Sequence, residues 1–365
     1  MRGQGFKVSS EKKGEEPYMF ISGIGIVFTR GRGIDSLEKA LNQGWASPSL
    51  TGLIPTYRVS QETLTDTSLS KKIRRADRFS RMAVLSAVDA CRDSCITVNE
   101  MGKLGIVLST AFGPHSTTFS FIDDILDYGD ANVSPTKFSN SVHNAAASYV
   151  SSVLGSRGPT VTLSQFSFPF QNALILAGLW LNEGRCEHVL CGCVDELNAV
   201  MEYVCKMKLK TATDGKIMPF MFSPAPLSVP GEGGAFFMLS KEKCGNNYGE
   251  VTGISFSGKI NGKPDITIID SDGMTGDETL YRETADSGSM IAGYSPLFGS
   301  MLVGSAFNFA AASLMLKNQL AYECPVPDNS SGIKLCAATS EASIDRINCV
   351  KICGSGKIST IKMQK

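Results

Sequence analysis

Gly158-Pro159-Thr160-Val161-Thr162-Leu163-Ser164-Gln165-Phe166-Ser167 carries the strongest structural signal in the chain. The Gly-Pro pair opens a short run rich in β-branched residues, so Thr160 to Ser164 reads as a strand. Three phenylalanines then alternate through the junction, Phe166, Phe168 and Phe170, with Pro169 between the last two. Asn172 to Asn182 follows as an apolar helix. A strand feeding an apolar helix through a tight junction is α/β grammar.

The same rhythm extends on both sides. Upstream, Tyr18 to Val27 reads as an apolar strand, and Ala46 to Ser70 as a turn-rich surface excursion. Lys71 to Ile96 is the best helix, because Ala76, Phe79, Ala83, Ala87 and Ala90 recur at three- and four-residue spacing. Leu104 to Ser109 is a buried strand and Asn144 to Val153 an Ala/Ser-rich helix. Downstream come strand His188–Gly192, a Pro- and aromatic-rich loop over 219–228, and strand Gly231–Leu239. A polar turn over 241–247 marks a seam. After it the pattern predicts strands at 250–256, 266–269, 333–337, 350–353 and 358–361, and a helix at 305–320. The expected organisation is a disordered leader (1–16), an N-terminal half (17–245) and a C-terminal half (246–365).

Bulk properties bound the function. The chain has 365 residues, enough for a large core or a duplicated one. Lys+Arg and Asp+Glu both number 35, so no global field favours nucleic acid or an anionic membrane. Eleven cysteines, an odd number without framework spacing, point to reduced thiols and a cytoplasmic protein. Met1 to Pro17 lacks the apolar core of a signal peptide, and no apolar run is long enough to span a bilayer. Cys186, His188, Cys191 and Cys193 match no closed zinc pattern, and strand alternation turns neighbouring ligands apart. No metal and no cofactor are expected. Gly231-Glu232-Gly233-Gly234 lacks the Lys-Ser/Thr of a phosphate loop and reads as a backbone-close turn into a strand.

Six collinear motifs together resemble the β-ketoacyl-acyl-carrier-protein synthases. They are Arg74-Arg75-Ala76-Asp77-Arg78-Phe79-Ser80-Arg81-Met82-Ala83, the helix at Asn144, Gly158-Pro159 with its strand, Val189-Leu190-Cys191-Gly192-Cys193-Val194-Asp195, Gly231-Glu232-Gly233-Gly234-Ala235 and Gly354-Ser355-Gly356. The resemblance implies a thiolase-like fold, a five-layered αβαβα sandwich built from two pseudo-duplicated halves. It also implies a dimer in which the nucleophile strands of two subunits lie side by side.

The departures from that family are systematic. The family's cysteine falls on Ser167, its two catalytic histidines on Asp272 and Ser300, its lysine on Ser295, and its gatekeeping phenylalanine on Ser355. Decarboxylative condensation needs a thiolate nucleophile and donors for the oxyanion and enolate. A carboxylate at Asp272 is acceptor-only and repels a developing anion. Ser167 also reads as a small polar junction residue, and Asp272-Gly273 as turn chemistry.

The resemblance therefore implies a non-condensing subunit of the chain-length-factor kind. Such a subunit pairs with a catalytic ketosynthase, meets an acyl carrier protein, and shapes the acyl cavity in polyketide, aryl-polyene or fatty acid synthesis. On this reading Phe166, Phe168, Phe170 and Ser355 line or plug the acyl tunnel. Two alternatives stand beside it. One is an acyltransferase or hydrolase using Ser167, with His143 as the nearest base in the sequence. The other is a non-catalytic scaffold homodimer.

Overall fold

A computed structural model describes residues 18–365 apart from 95, 223–226, 257–262, 286–287 and 330–331. The expected leader, 1–16, lies outside the described residues. The strands, in chain order, are β1 (Met19–Phe28), β2 (Gly31–Arg32), β3 (Gly105–Thr110), β4 (Thr160–Ser164), β5 (His188–Asp195), β6 (Gly233–Ser240), β7 (Glu250–Ser255), β8 (Ile266–Ile269), β9 (Met290–Ala292), β10 (Leu320–Ala321), β11 (Ser340–Glu341), β12 (Arg346–Ile352) and β13 (Ile358–Gln364). The α-helices are α1 (Ile34–Gln43), α2 (Arg78–Asp93), α3 (Val98–Met101), α4 (His115–Tyr128), α5 (Pro135–Asn140), α6 (Ala145–Leu154), α7 (Pro169–Asn182), α8 (Ala199–Lys208), α9 (Glu278–Ala285) and α10 (Ser305–Asn318).

The main strands pair in the order β4-β3-β5-β6-β1-β7-β13-β12-β8-β9. The order has internal symmetry. From β4 inward, two parallel pairings are followed by two antiparallel ones. From β9 inward the sequence is the same. The two sets meet where β1 pairs with β7, at Met19↔Val251 and Phe20↔Glu250. This is the duplicated thiolase-type arrangement.

Strand alternation sorts the side chains into layers. Val107, Val189, Cys191, Cys193 and Phe237 point inward to a core shared with α7 and α10. Ile106, Leu108, Leu190, Val194, Phe236 and Met238 point outward against α2 and α6. Every residue of α10 from Ser305 to Leu316 is buried, as befits a helix enclosed on all sides. The outer layer of the C-terminal half is thinner. There α9 contributes Tyr281, which packs with Phe220, Phe222, Ile269 and Val350.

Helix α2 lies directly on β1 because β1 has glycine where the two backbones meet. A Cβ on Gly25 would sit 1.9 Å from the Ser86 carbonyl oxygen. The helix begins later than its periodicity predicts. Asp77 accepts a hydrogen bond from the Ser80 N–H at 2.8 Å and caps it, so residues 71–77 form turns. The strand expected at 333–337 is a single bridge, Ile291↔Leu335. Its partner β9 is three residues long and pairs along its other edge with β8. The 46–70 excursion is turn-rich, but it inserts Tyr57, Val59 and Leu64 into the molecule.

Candidate functional site

A cavity of about 200 Å³ opens at the carboxyl ends of the parallel strands β3, β5 and β8. This is where α/β sheets usually place ligands. Its walls include Phe112 beyond β3, Asp195 and Glu196 at the end of β5, Gly231 before β6, and Ser300 and Met301 before α10. Helix α8 closes one side through Met201, Val204 and Lys208. Gly231 is required here, since a Cβ would lie 2.3 Å from the Phe298 carbonyl oxygen.

Ser300 is the predicted site residue that lines this cavity. Its hydroxyl is engaged on both sides. It donates to the backbone carbonyl of Asp272 and accepts from the Val229 N–H at 3.0 Å. The structure thus brings Asp272 and Ser300 together. Asp272 does not present its carboxylate to the cavity. It is buried, accepts from the Met274 N–H at 3.0 Å, and lies 3.6 Å from the ammonium of Lys351.

Lys351 also meets Asp270 at 3.2 Å. Burial pushes the Asp270 carboxyl up, against the pull of Lys351. Burial likewise opposes the charge on Lys351, but the two carboxylates outweigh it and its pKa is raised. Sequence reasoning missed Lys351 because it comes from β12, far along the chain. Ser295, at the family's lysine position, is buried and donates to the Asp270 carbonyl.

Ser167 is exposed at the β4–α7 junction, and among the described residues its hydroxyl has no hydrogen-bond partner. The left-handed backbone at this junction belongs to Phe168, with φ 56°, directly before Pro169. The three phenylalanines diverge. Phe166 is exposed and packs on Phe112 at 5.3 Å between ring centroids. Phe168 is buried against Phe256 at 5.5 Å. Phe170 lies in the central core between Phe237 and Phe309. Phe166 reaches the cavity indirectly, through the Phe112 ring that lines it. His143 is exposed and packs beside Gly113. Ser355 is exposed on the β12–β13 hairpin, 3.0 Å from the Cys353 thiol.

The acids at the end of β5 form the other wall. Asp195 accepts from the Thr110 hydroxyl at 2.6 Å and from the Ala111 and Phe112 N–H groups at 3.0 and 3.1 Å. It ties the ends of β3 and β5 together, and burial pushes its carboxyl up to about 6. Burial pushes Glu196 up to about 8, against one hydrogen bond from the Ser116 N–H at 2.7 Å. His115 stands 3.9 Å from Glu196 with its Nε2 buried and unpartnered, and burial lowers its pKa.

Two motifs distant in sequence interlock beside this wall. Arg78 donates Nε to Glu232 Oε2 at 3.0 Å. Glu232 is fully buried and also accepts from the Val59 and Leu197 N–H groups at 2.9 and 3.1 Å. The helix-start motif and the Gly-Glu-Gly-Gly motif are thereby halves of one contact. Of the cysteine run, Cys191 and Cys193 share the inner face of β5 in the central core. The described cysteines are free thiols. Among the described residues no helix is long and apolar enough to cross a membrane.

Residues 68–203, which include the β4–α7 junction and the β5 acids, match the family model described as β-ketoacyl synthase, N-terminal domain. Over that segment the chain is similar to the β-ketoacyl synthases. A search of curated proteins found no match. Solved β-ketoacyl synthase structures superpose along nearly the whole chain. The ishigamide ketosynthase/chain length factor gives a TM-score of 0.82 at 14% identity, covering 96% of this chain and 99% of its own. AntDE:AntF, a type II polyketide acyl-carrier protein in complex with its ketosynthase bound to the hexaketide, gives 0.78 at 13%, with the same coverage. A β-ketoacyl synthase from Burkholderia phymatum gives 0.78 at 17%, again covering 96% and 99%. At these identities the agreement is one of fold.

Proposed function

We propose that this chain is a β-ketoacyl-synthase-like, non-condensing subunit that pairs with a catalytic ketosynthase and helps shape the acyl cavity. The observation that carries this reading is the state of the three reactive positions. Ser167 has neither a base nor a hydrogen bond among the described residues. The Ser300 hydroxyl is turned onto a backbone carbonyl, and Asp272 is tied to Lys351. A serine hydroxyl needs an adjacent base to attack a thioester, and an enolate needs free donors.

The edge of the sheet supports a pairing role. Strand β4 is the terminal strand and leaves Val161 and Leu163 only half-buried. An edge of this kind is a template for another strand. Partner strand against β4 would also cover Phe166 at the junction. The acyl carrier protein enters as the carrier of the partner's substrate. The match to a ketosynthase/chain length factor pair supports the same assignment.

The test is reconstitution. The purified chain is incubated with acyl and malonyl thioesters on a carrier protein, alone and with a Cys-His-His ketosynthase encoded beside it. No product is expected from the chain alone, and a product of defined length from the pair. Condensation by the chain alone overturns the proposal. An acyl adduct on Ser167, found by mass spectrometry, would favour the acyltransferase reading instead.

A further inference from the structure

The C-terminal half departs from its N-terminal counterpart on one face. In the N-terminal half, the connection from β1 to β3 carries α2, which covers the outer side of the sheet. In the C-terminal half, only residues 256–265 separate β7 from β8. On the outer face of β12 and β13, Val350, Ile352 and Ile358 join the Tyr281 cluster at one end, while Arg346, Asn348 and Lys362 put polar side chains at the other.

A cavity of about 120 Å³ lies on this face, lined by Thr252, Lys263, Arg346, Asn348 and Lys362 among others. The register brings these residues together. Arg346 and Asn348 are two apart on β12 and so share a face. Lys362 is the direct cross-strand partner of Asn348. On its other side Lys362 faces Gly253, whose lack of a side chain leaves its stem room, and Thr252 is the next residue on β7. Lys263 closes the cavity from the connection before β8.

The charge balance is one-sided. Among the described residues no carboxylate lines the cavity, and Lys263, Arg346 and Lys362 make no ion pair. Asp265, adjacent in the fold, accepts the backbone N–H groups of Asp345 and Arg346 at 2.8 and 2.9 Å. A second observation points the same way. Asn348 is 5% exposed, yet its Nδ2 has no hydrogen-bond partner. Buried amides are almost always satisfied, so this one calls for an acceptor.

We infer that this cavity is an anion site for a tetrahedral oxyanion: inorganic phosphate or the phosphate end of a small phosphomonoester. Three cations and an amide approach from two strands and a loop. That geometry suits several acceptor oxygens better than the two of a carboxylate. The arginine fork adds paired charge-assisted hydrogen bonds. The volume admits a phosphate with a short ester. The site lies on the outer face of the sheet, away from the cavity at the strand ends, and is independent of the proposed pairing.

Calorimetric titration of the full chain tests it. Inorganic phosphate and glycerol 3-phosphate are titrated separately, with sodium chloride at matched ionic strength as the reference. Saturable binding is expected for one or both, with chloride inert. Tighter binding of glycerol 3-phosphate identifies a phosphomonoester as the occupant, and tighter binding of inorganic phosphate identifies the free ion. Arg346→Gln alters an exposed side chain and is expected to weaken binding by about tenfold. Asn348→Asp, which puts a carboxylate in the cavity, is expected to abolish it. Heats equal to those of chloride, or unchanged affinity in Arg346→Gln/Lys362→Gln, would overturn the inference.

Discussion

Replacing Arg78 by Met tests whether the contact between Arg78 and Glu232 holds the cavity wall together. Glu232 is fully buried and accepts four hydrogen bonds: two from Arg78, through Nε and Nη2, and one each from the N–H groups of Val59 and Leu197. Those four bonds come from three separate chain segments. Met fills much of the arginine stem's volume but leaves the carboxylate buried without its counter-charge. Breaking a buried pair this way costs about 3–5 kcal/mol. Arg78 is 30% exposed, so water reaches its side of the pair and the lower end, about 3 kcal/mol, is expected. In a chain of this size that is about 4 °C in the thermal midpoint.

Glu232→Gln removes the charge and keeps an acceptor for the backbone donors, so it should cost only about 1–2 kcal/mol. The double variant no longer buries an unpaired charge. It should be less destabilised than the sum of the singles by at least about 1 kcal/mol. Urea unfolding of the four proteins, followed by tryptophan fluorescence, gives the cycle. A cost below about 1 kcal/mol for Arg78→Met, or strict additivity, would refute the reasoning.

The acids at the end of β5 predict a pH dependence. Glu196 titrates near 8 in the fold against an ordinary value of 4.5, so the native state holds that proton when the unfolded chain has released it. Stability should therefore fall as pH rises from about 5 to 8, and Glu196→Gln should flatten the fall, as read from urea midpoints at the two pH values. Phe170→Ala, which empties a fully buried site between Phe237 and Phe309, should cost about 3–5 kcal/mol in the same assay. A cost under about 1.5 kcal/mol would mean that the ring faces a cavity able to absorb its loss.

Much of the fold was legible because local signals and burial agree in it. Strands β3, β4, β5 and β6 read directly from short apolar runs, and helices α6, α7 and α10 from apolar segments of helical length. The connections were less legible. Helices α4 and α8 leave apolar side chains such as Leu126 and Met207 in the open, so their patterns do not look like surface helices packed on one side. Helix α8 is held instead by a buried acid, Glu202, which pairs with Arg58 at 2.6 Å. No periodicity announces an anchor of that kind. Strand β9 is too short for any pattern to mark it.

The sequence by itself determined the architecture and the order of its motifs. The strand rhythm and the order of the motifs are local properties, and the spacing from Gly158 to Ser167 is a matter of counting. Only the tertiary structure decided what those positions face. It put Ser300 against the Asp272 carbonyl, brought Lys351 beneath Asp272 from a distant strand, and sent Phe166, Phe168 and Phe170 to three different neighbours. The reason is physical. A hydrogen bond or ion pair needs atoms within about 3–4 Å. Residues far apart in the chain come that close only after the sheet has paired and the helices have packed.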